Sequence, residues 1–239
     1  MRLYFAGSFS SPGNNHAQFL RDLGIKNKLY SYFNDRKAAE EWGHSGQMLD
    51  SGAFSAWTRK AVIDIDELIA FIHKVNPERA IQLDVIGDSD ATWENYLYMK
   101  FKANVMPVIH LNAPDYHIER VLNDDAIYIC LGGLVGTPTQ KQIKWLDHVF
   151  SFPKIRVKRV HILGVMTNAI LLRYPAYSAD SSSALSGVRY PVDPRNEYMF
   201  WKQKTQHYTR LYEDFIHMQK EQEKLLTSIW KRRGISWDD

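Results

Sequence analysis

The residues of this sequence that can do chemistry are polar side chains and glycines that fall just after short apolar runs. Asp50 follows Gln47 to Leu49, Asp84 follows Ala80 to Leu83, and His110 follows Val105 to Ile109. Gly132 and Gly133 follow Ile127 to Leu131, Gly164 ends the run from Arg159 to Leu163, and Asp180 follows Ala176 to Ala179. Carboxylates and an imidazole serve as general acids, general bases and nucleophiles when a fold gathers them in one pocket. In Asp50-Ser51-Gly52-Ala53-Phe54-Ser55 a carboxylate precedes small residues that let backbone approach a ligand, and an aromatic ring suited to stacking on a flat one. In Leu131-Gly132-Gly133-Leu134-Val135-Gly136 the glycines allow a backbone N–H to point into a site, without the spacing of a dinucleotide-binding loop. His161-Ile162-Leu163-Gly164-Val165-Met166 can supply the opposite wall of a flat slot. Taken singly, each segment also reads as an ordinary turn or core strand; their shared position is what points to function.

That position requires strands whose ends meet. The eight apolar, β-prone runs begin with Leu3 to Ala6 and Lys28 to Phe33 and continue through those named above. Helical periodicity separates most of them, over Ile65 to Val75, Ala91 to Phe101, Asp115 to Leu122, Thr139 to Phe150 and Asn168 to Arg173. Asp64 and Asp66 before Leu68, Ser89 before Trp93, and Pro138-Thr139 are helix-start signals. Alternating strands and helices imply a parallel α/β sheet, and eight such units predict a (β/α)8 TIM-like barrel over residues 1–194, with its site at the C-terminal strand ends. An open doubly wound sheet is the rival, because the first two units are irregular and the loop from Gly7 to Asn15 is long. After Pro194 a polar-apolar segment with Phe200, Tyr208, Leu211, Tyr212, Phe215, Met218 and Leu225 at helical spacing predicts a C-terminal helical extension, 195–239, packed on the barrel.

Composition limits the function classes. The 239 residues are 45% hydrophobic and 24% charged, enough for one sizeable core, and no apolar run is long enough to span a membrane. The N-terminus reaches Gly7-Ser8 before a secretory segment develops, so an unprocessed, soluble protein is expected. Cys130 is the only cysteine, which rules out an internal disulfide and a Cys-rich zinc site and makes a reducing, cytoplasmic setting the expectation. The net charge of +3 permits nucleic acid as a partner without demanding it. Its densest basic stretch is Lys154, Arg156, Lys158 and Arg159, with Lys141, Lys144 and Arg189 as further phosphate candidates; the stretch fits a solvated lead-in to a strand equally well.

From Gln47 to Ser183 the ordered set of Asp50-Ser51-Gly52-Ala53-Phe54, Asp84, Gly132-Gly133-Leu134, Leu163-Gly164-Val165 and Asp180 resembles the queuine tRNA-ribosyltransferase (tRNA-guanine transglycosylase) superfamily, in particular its phage-type 7-deazaguanine DNA transglycosylase branch. The resemblance implies exchange of guanine for a free 7-deazaguanine base such as preQ0 or a derivative. Asp180 would be the nucleophile that captures the oxocarbenium-like C1′. Asp50 would be the general acid/base. Asp84 would accept from the guanine N1–H and amine, with Ser51, Gly52, His110 and the Gly133 N–H near the other edges, and Phe54 with Val165 or Met166 would sandwich the ring. Such chemistry needs no cofactor. Two departures stand out. The tRNA enzymes carry a Cys/His zinc site that one cysteine cannot build, and His110 stands where they carry Gln. Ala179-Asp180-Ser181-Ser182-Ser183 also replaces their Asp-Cys-Val-Leu-Pro-Thr-Arg run. DNA is therefore expected ahead of tRNA. The rivals are a tRNA-guanine transglycosylase, a barrel N-glycosidase that lets water resolve the intermediate, and a non-catalytic nucleic-acid-binding barrel. The sequence sets no oligomeric state.

Overall fold

The computed structural model describes residues 1–6, 16–182 and 197–237. In chain order its elements are β1 (Arg2–Ala6), α1 (His16–Asp22), β2 (Lys28–Ser31), α2 (Tyr32–Trp42), β3 (Gln47–Asp50), α3 (Ala53–Thr58), α4 (Ile65–Val75), β4 (Arg79–Ile81) and α5 (Ser89–Lys100). There follow β5 (Val105–Met106), β6 (Val108–His110), α6 (Asp115–Asn123), β7 (Tyr128–Gly132), α7 (Thr139–Ser151), a 3-10 helix (Pro153–Val157), β8 (Arg159–Ile162), α8 (Asn168–Leu171), β9 (Ser178–Ser181) and α9 (Glu197–Arg232).

Every strand pairing is parallel, in the order β5-β4-β3-β2-β1-β9-β8-β7-β6. The two ends of that order are halves of one barrel strand, interrupted at Pro107, which has no N–H to give a ladder. β5 pairs with β4 and β6 with β7. Across the break the Gln82 N–H donates to the Met106 carbonyl at 3.1 Å and the Cys130 N–H to the Pro107 carbonyl at 2.8 Å. The sheet thus curls into a nearly closed α/β barrel ringed by helices. An open doubly wound sheet would have two unrelated edge strands, and this one does not.

Alternation along the strands sorts the side chains. Tyr4, Leu29, Met48, Ile81, Met106, Val108, Tyr128, Cys130 and Tyr177 form one cluster, the barrel interior. Residues of the opposite parity pack against helices in two further clusters, one built on β1 to β5 and the other on β6 to β9. α9 spans the seam between them. Its Ile216 joins the first cluster, and its Leu226 and Trp230 the second. The Gln219 amide donates to the Leu3 carbonyl at 3.0 Å, the Leu3 N–H to Glu223 at 2.9 Å, and the Trp230 indole N–H to the Leu171 carbonyl at 2.8 Å. The C-terminal segment therefore completes the helical ring.

Several boundaries differ from the sequence expectation. The run from Lys28 to Phe33 stops as a strand at Ser31, whose Oγ accepts from the Asn34 N–H at 3.3 Å and starts α2. α1, α2 and α3 carry no clear apolar period and were not expected. Asp88, one residue before Ser89, caps α5 by accepting from the N–H groups of Asp90 and Ala91. β9 is shifted two residues from the apolar run, which places Asp180 within the strand. Asp84, expected at a strand end, lies three residues beyond β4. No helix among the described residues is long and apolar enough to cross a membrane.

If α9 closes the ring as described, Trp230→Ala removes a buried indole and its hydrogen bond. The expected loss is about 3–5 kcal/mol of unfolding free energy, read from urea denaturation.

Candidate active site

The C-terminal strand ends open onto a cavity of about 950 Å³, within the range of small-molecule sites. Asp50, Gly52, Phe54, Asp84, His110, Gly132, Gly133, Gly164 and Asp180 all line it. A second cavity, of about 800 Å³, sits at the N-terminal rim around Arg2, Glu78 and Tyr177 and contains none of the expected catalytic residues.

Asp180 is buried, and its Oδ1 accepts from the Gly164 N–H at 2.8 Å and lies 3.2 Å from His161 Nε2. His161 is fully buried, with Nδ1 2.5 Å from Ser178 Oγ, and Ser178 is bonded in turn to the Tyr128 hydroxyl. A carboxylate only accepts, so His161 Nε2–H donates to Asp180, and Ser178 Oγ bridges His161 Nδ1 and the Tyr128 hydroxyl. Burial raises the Tyr128 phenol well above its ordinary value, which keeps it a donor. Gly164 has φ +73°, and a Cβ there would lie 2.2 Å from Val135 Cγ2. Glycine is what lets the chain turn sharply enough to aim that N–H at Asp180.

Asp84 is held differently. Its Oδ1 accepts from Ser51 Oγ at 3.2 Å and its Oδ2 lies 2.7 Å from His110 Nε2. His110 is thus engaged with Asp84, and the imidazole fixes the carboxylate's orientation. Gly132 leaves room for this ring, since a Cβ there would lie 3.1 Å from His110 Cδ2. Asp50 accepts from the Gly52 N–H at 3.0 Å. Burial above all, and then the charges of Asp84 and Asp180, push its carboxyl from 3.8 up to about 7. Gly52 itself has φ +77°, and a Cβ would lie 2.4 Å from Ser31 Oγ and 2.6 Å from Phe33 Cβ. Only glycine lets the β3–α3 turn pack so closely on β2 and α2. Cys130 lies below these acids; burial and their charges hold its thiol well above 9.0, so it stays protonated and inert.

Some expected residues lie elsewhere. Ser51 is fully buried and reaches the site through Asp84. Leu134 and Val165 are buried in the cluster outside the barrel, and Met166 packs against it with its carbonyl accepting from Gln222 at 2.8 Å. The inward parity of β8 passes through His161 to Leu163, and it is Leu163 and Val135 that border the cavity. The basic stretch lies at the opposite rim, at the N-terminal end of β8. There Lys158 donates to the carbonyls of Asp124 and Ala126 at 2.7 Å each, Lys154 donates to Asn123, and the Arg159 guanidinium lies 4.7 Å from the Tyr177 ring centroid. Arg156 shares the 3-10 helix with Lys154. Arg189 lies outside the described residues. Sequence reasoning missed Trp57, Arg59 and Asn34, which line the cavity. Phe54 and Trp57 stand three residues apart with Arg59 and Lys60 following, a signal visible just beyond the segment that ended at Ser55.

Comparison with known families finds no model that matches the chain, and comparison with curated proteins finds no match.

The state of Asp50 has a stability signature. Its folded value lies above its unfolded one, so the stability it contributes is present below about pH 4 and is lost as pH rises through about 7. Asp50→Asn removes this loss. Relative to wild type the variant is expected to gain roughly 2–4 kcal/mol between those pH values, read from denaturation at pH 4 and pH 8.

Proposed function

We propose that the protein is a base-exchange transglycosylase that replaces guanine in DNA with a 7-deazaguanine through a covalent Asp180–sugar intermediate. The observation that carries this reading is the division of labour between two carboxylates in one cavity. Asp180 accepts from the Gly164 N–H and lies beside His161, while Asp50 has a carboxyl pushed up to about 7. Nucleophilic displacement at a glycosidic carbon uses two carboxyl groups, one to attack the carbon and one to give and take a proton near neutrality.

In the first half-reaction an Asp180 oxygen attacks C1′ as the C1′–N9 bond breaks, and Asp50 gives its proton to the departing guanine. In the second, the incoming base loses its N9 proton to Asp50, its nitrogen attacks C1′, and the bond to Asp180 breaks. Two displacements retain configuration, and one slot serves both bases. Asp84, pre-oriented by His110 and Ser51, keeps lone pairs free to accept from a guanine N1–H and amine. Gly133 and Phe54 line the same cavity. C1′ is buried in a duplex, so the target nucleotide has to be flipped out or already unpaired. DNA is favoured over tRNA because the lone Cys130 is inside the barrel and a Cys-rich zinc site cannot be assembled from this chain.

The test is incubation with guanine-containing DNA, and separately tRNA, in the presence of labelled guanine or preQ0. Label is expected in DNA. It should be abolished by Asp180→Ala and reduced about 10²–10⁴-fold by Asp50→Asn. Label in tRNA alone would correct the substrate, and guanine release without incorporation would favour an N-glycosidase.

A further inference from the structure

We propose that the outer face of α3, carrying Phe54 and Trp57 and followed by Arg59 and Lys60, is a stacking platform for the nucleotides that flank the target base, and that the protein takes its substrate as a single strand. This rests on the nucleic-acid reading above and extends it from the target base to its neighbours.

α3 inverts the usual arrangement of a surface helix. Its small residues Ala53 and Ala56 are buried, while Phe54 is 57% and Trp57 59% exposed. The two rings, one helical turn apart, have centroids 6.0 Å apart and planes tilted by 35°, so they offer adjoining flat faces at the cavity mouth. Two large aromatics exposed side by side at a cavity mark an interaction site.

The charges around them say which partner. Arg59 is exposed but held in place: its NH1 donates to Asn34 Oδ1 at 3.0 Å, and its guanidinium lies 5.5 Å from the Phe33 ring centroid. A guanidinium has five N–H donors, so this anchoring leaves others to meet a phosphate. Lys60, also exposed, sits in the left-handed region at φ 55°, in a turn closed by the Lys60 N–H on the Trp57 carbonyl and the Ala61 N–H on the Ala56 carbonyl. At the start of α5, Asp88 lines the cavity and Asp90 is paired with Arg120 at 2.7 Å, so the cation on that side already has a carboxylate partner. A strand entering the cavity is therefore steered along α3. Aromatic faces with neighbouring cations are the means by which proteins hold single strands without reading sequence, since every base has a π-face. An intact duplex hides those faces and gains nothing from the platform.

The experiment measures fluorescence anisotropy of a labelled, guanine-containing single-stranded oligonucleotide and of its duplex, with dGMP as competitor, for wild type, Trp57→Ala and Trp57→Phe. Wild type should prefer the single strand to the duplex and bind it more tightly than dGMP. Trp57→Ala should narrow the gap between oligonucleotide and dGMP by about tenfold, and Trp57→Phe should restore most of it. Unchanged oligonucleotide affinity in Trp57→Ala, or a wild-type preference for duplex, would overturn the proposal. So would a change of oligomeric state in Trp57→Ala with DNA affinity intact, which would make the face a contact between copies. Binding needs no turnover, so the two readings fail separately. Trp57-dependent binding without base exchange keeps the platform and removes the transglycosylase; base exchange with Trp57-independent binding does the reverse.

Discussion

Asp50, Asp84 and Asp180 share one partly enclosed cavity, where three negative charges cannot coexist without compensation. Two of them have it. Asp180 has His161 and the Gly164 N–H, and Asp84 has His110 and Ser51. Asp50 has a backbone N–H from Gly52, and burial, followed by the charges of both neighbours, pushes its carboxyl up to about 7. His161 faces Asp180 from the adjacent strand β8, and His110 faces Asp84 from the strand that runs beside β4, so strand order sets both pairs.

The barrel is shaped to make that happen. Pro107 divides one strand between two pairings and so joins the edges of the sheet. Gly52 and Gly164, both at positive φ, let the β3–α3 and β8–α8 connections fold tightly over the strand ends, one aiming its N–H at Asp50 and the other at Asp180. α9 bridges the two outer hydrophobic clusters, and its Gln222 donates to the Met166 carbonyl in the β8–α8 connection. The helices pack the outer clusters, and the loops at the C-terminal strand ends line the cavity.

The sequence made the barrel and the ring of acids legible because both depend on local patterns: short apolar runs spaced by helical periods, each ending in a polar residue. It concealed what depends on neighbours in space. That His110 faces Asp84 and His161 faces Asp180 follows from strand adjacency, which no spacing reveals. Leu134, Val165 and Met166 have the composition of a cavity wall, but the turns after β7 and β8 carry them away from it, into or against the outer cluster. Lys154 to Arg159 looks like a phosphate-binding stretch, yet it leads into a strand and so belongs to the opposite rim. α2 escaped notice because the one face it buries, Tyr32, Asp35, Ala39 and Trp42, carries a charged and a small residue between its aromatics and so shows no clear apolar period.

The central claim is that Asp180 forms a bond to the sugar. The most direct measurement is mass spectrometry of the denatured protein after incubation with guanine-containing single-stranded DNA and no added base, followed by peptide mapping. A covalent DNA adduct on the peptide carrying Asp180, present in wild type and absent in Asp180→Asn, is the expected result. An adduct on Asp50, or base exchange at full rate in Asp180→Asn, would contradict it.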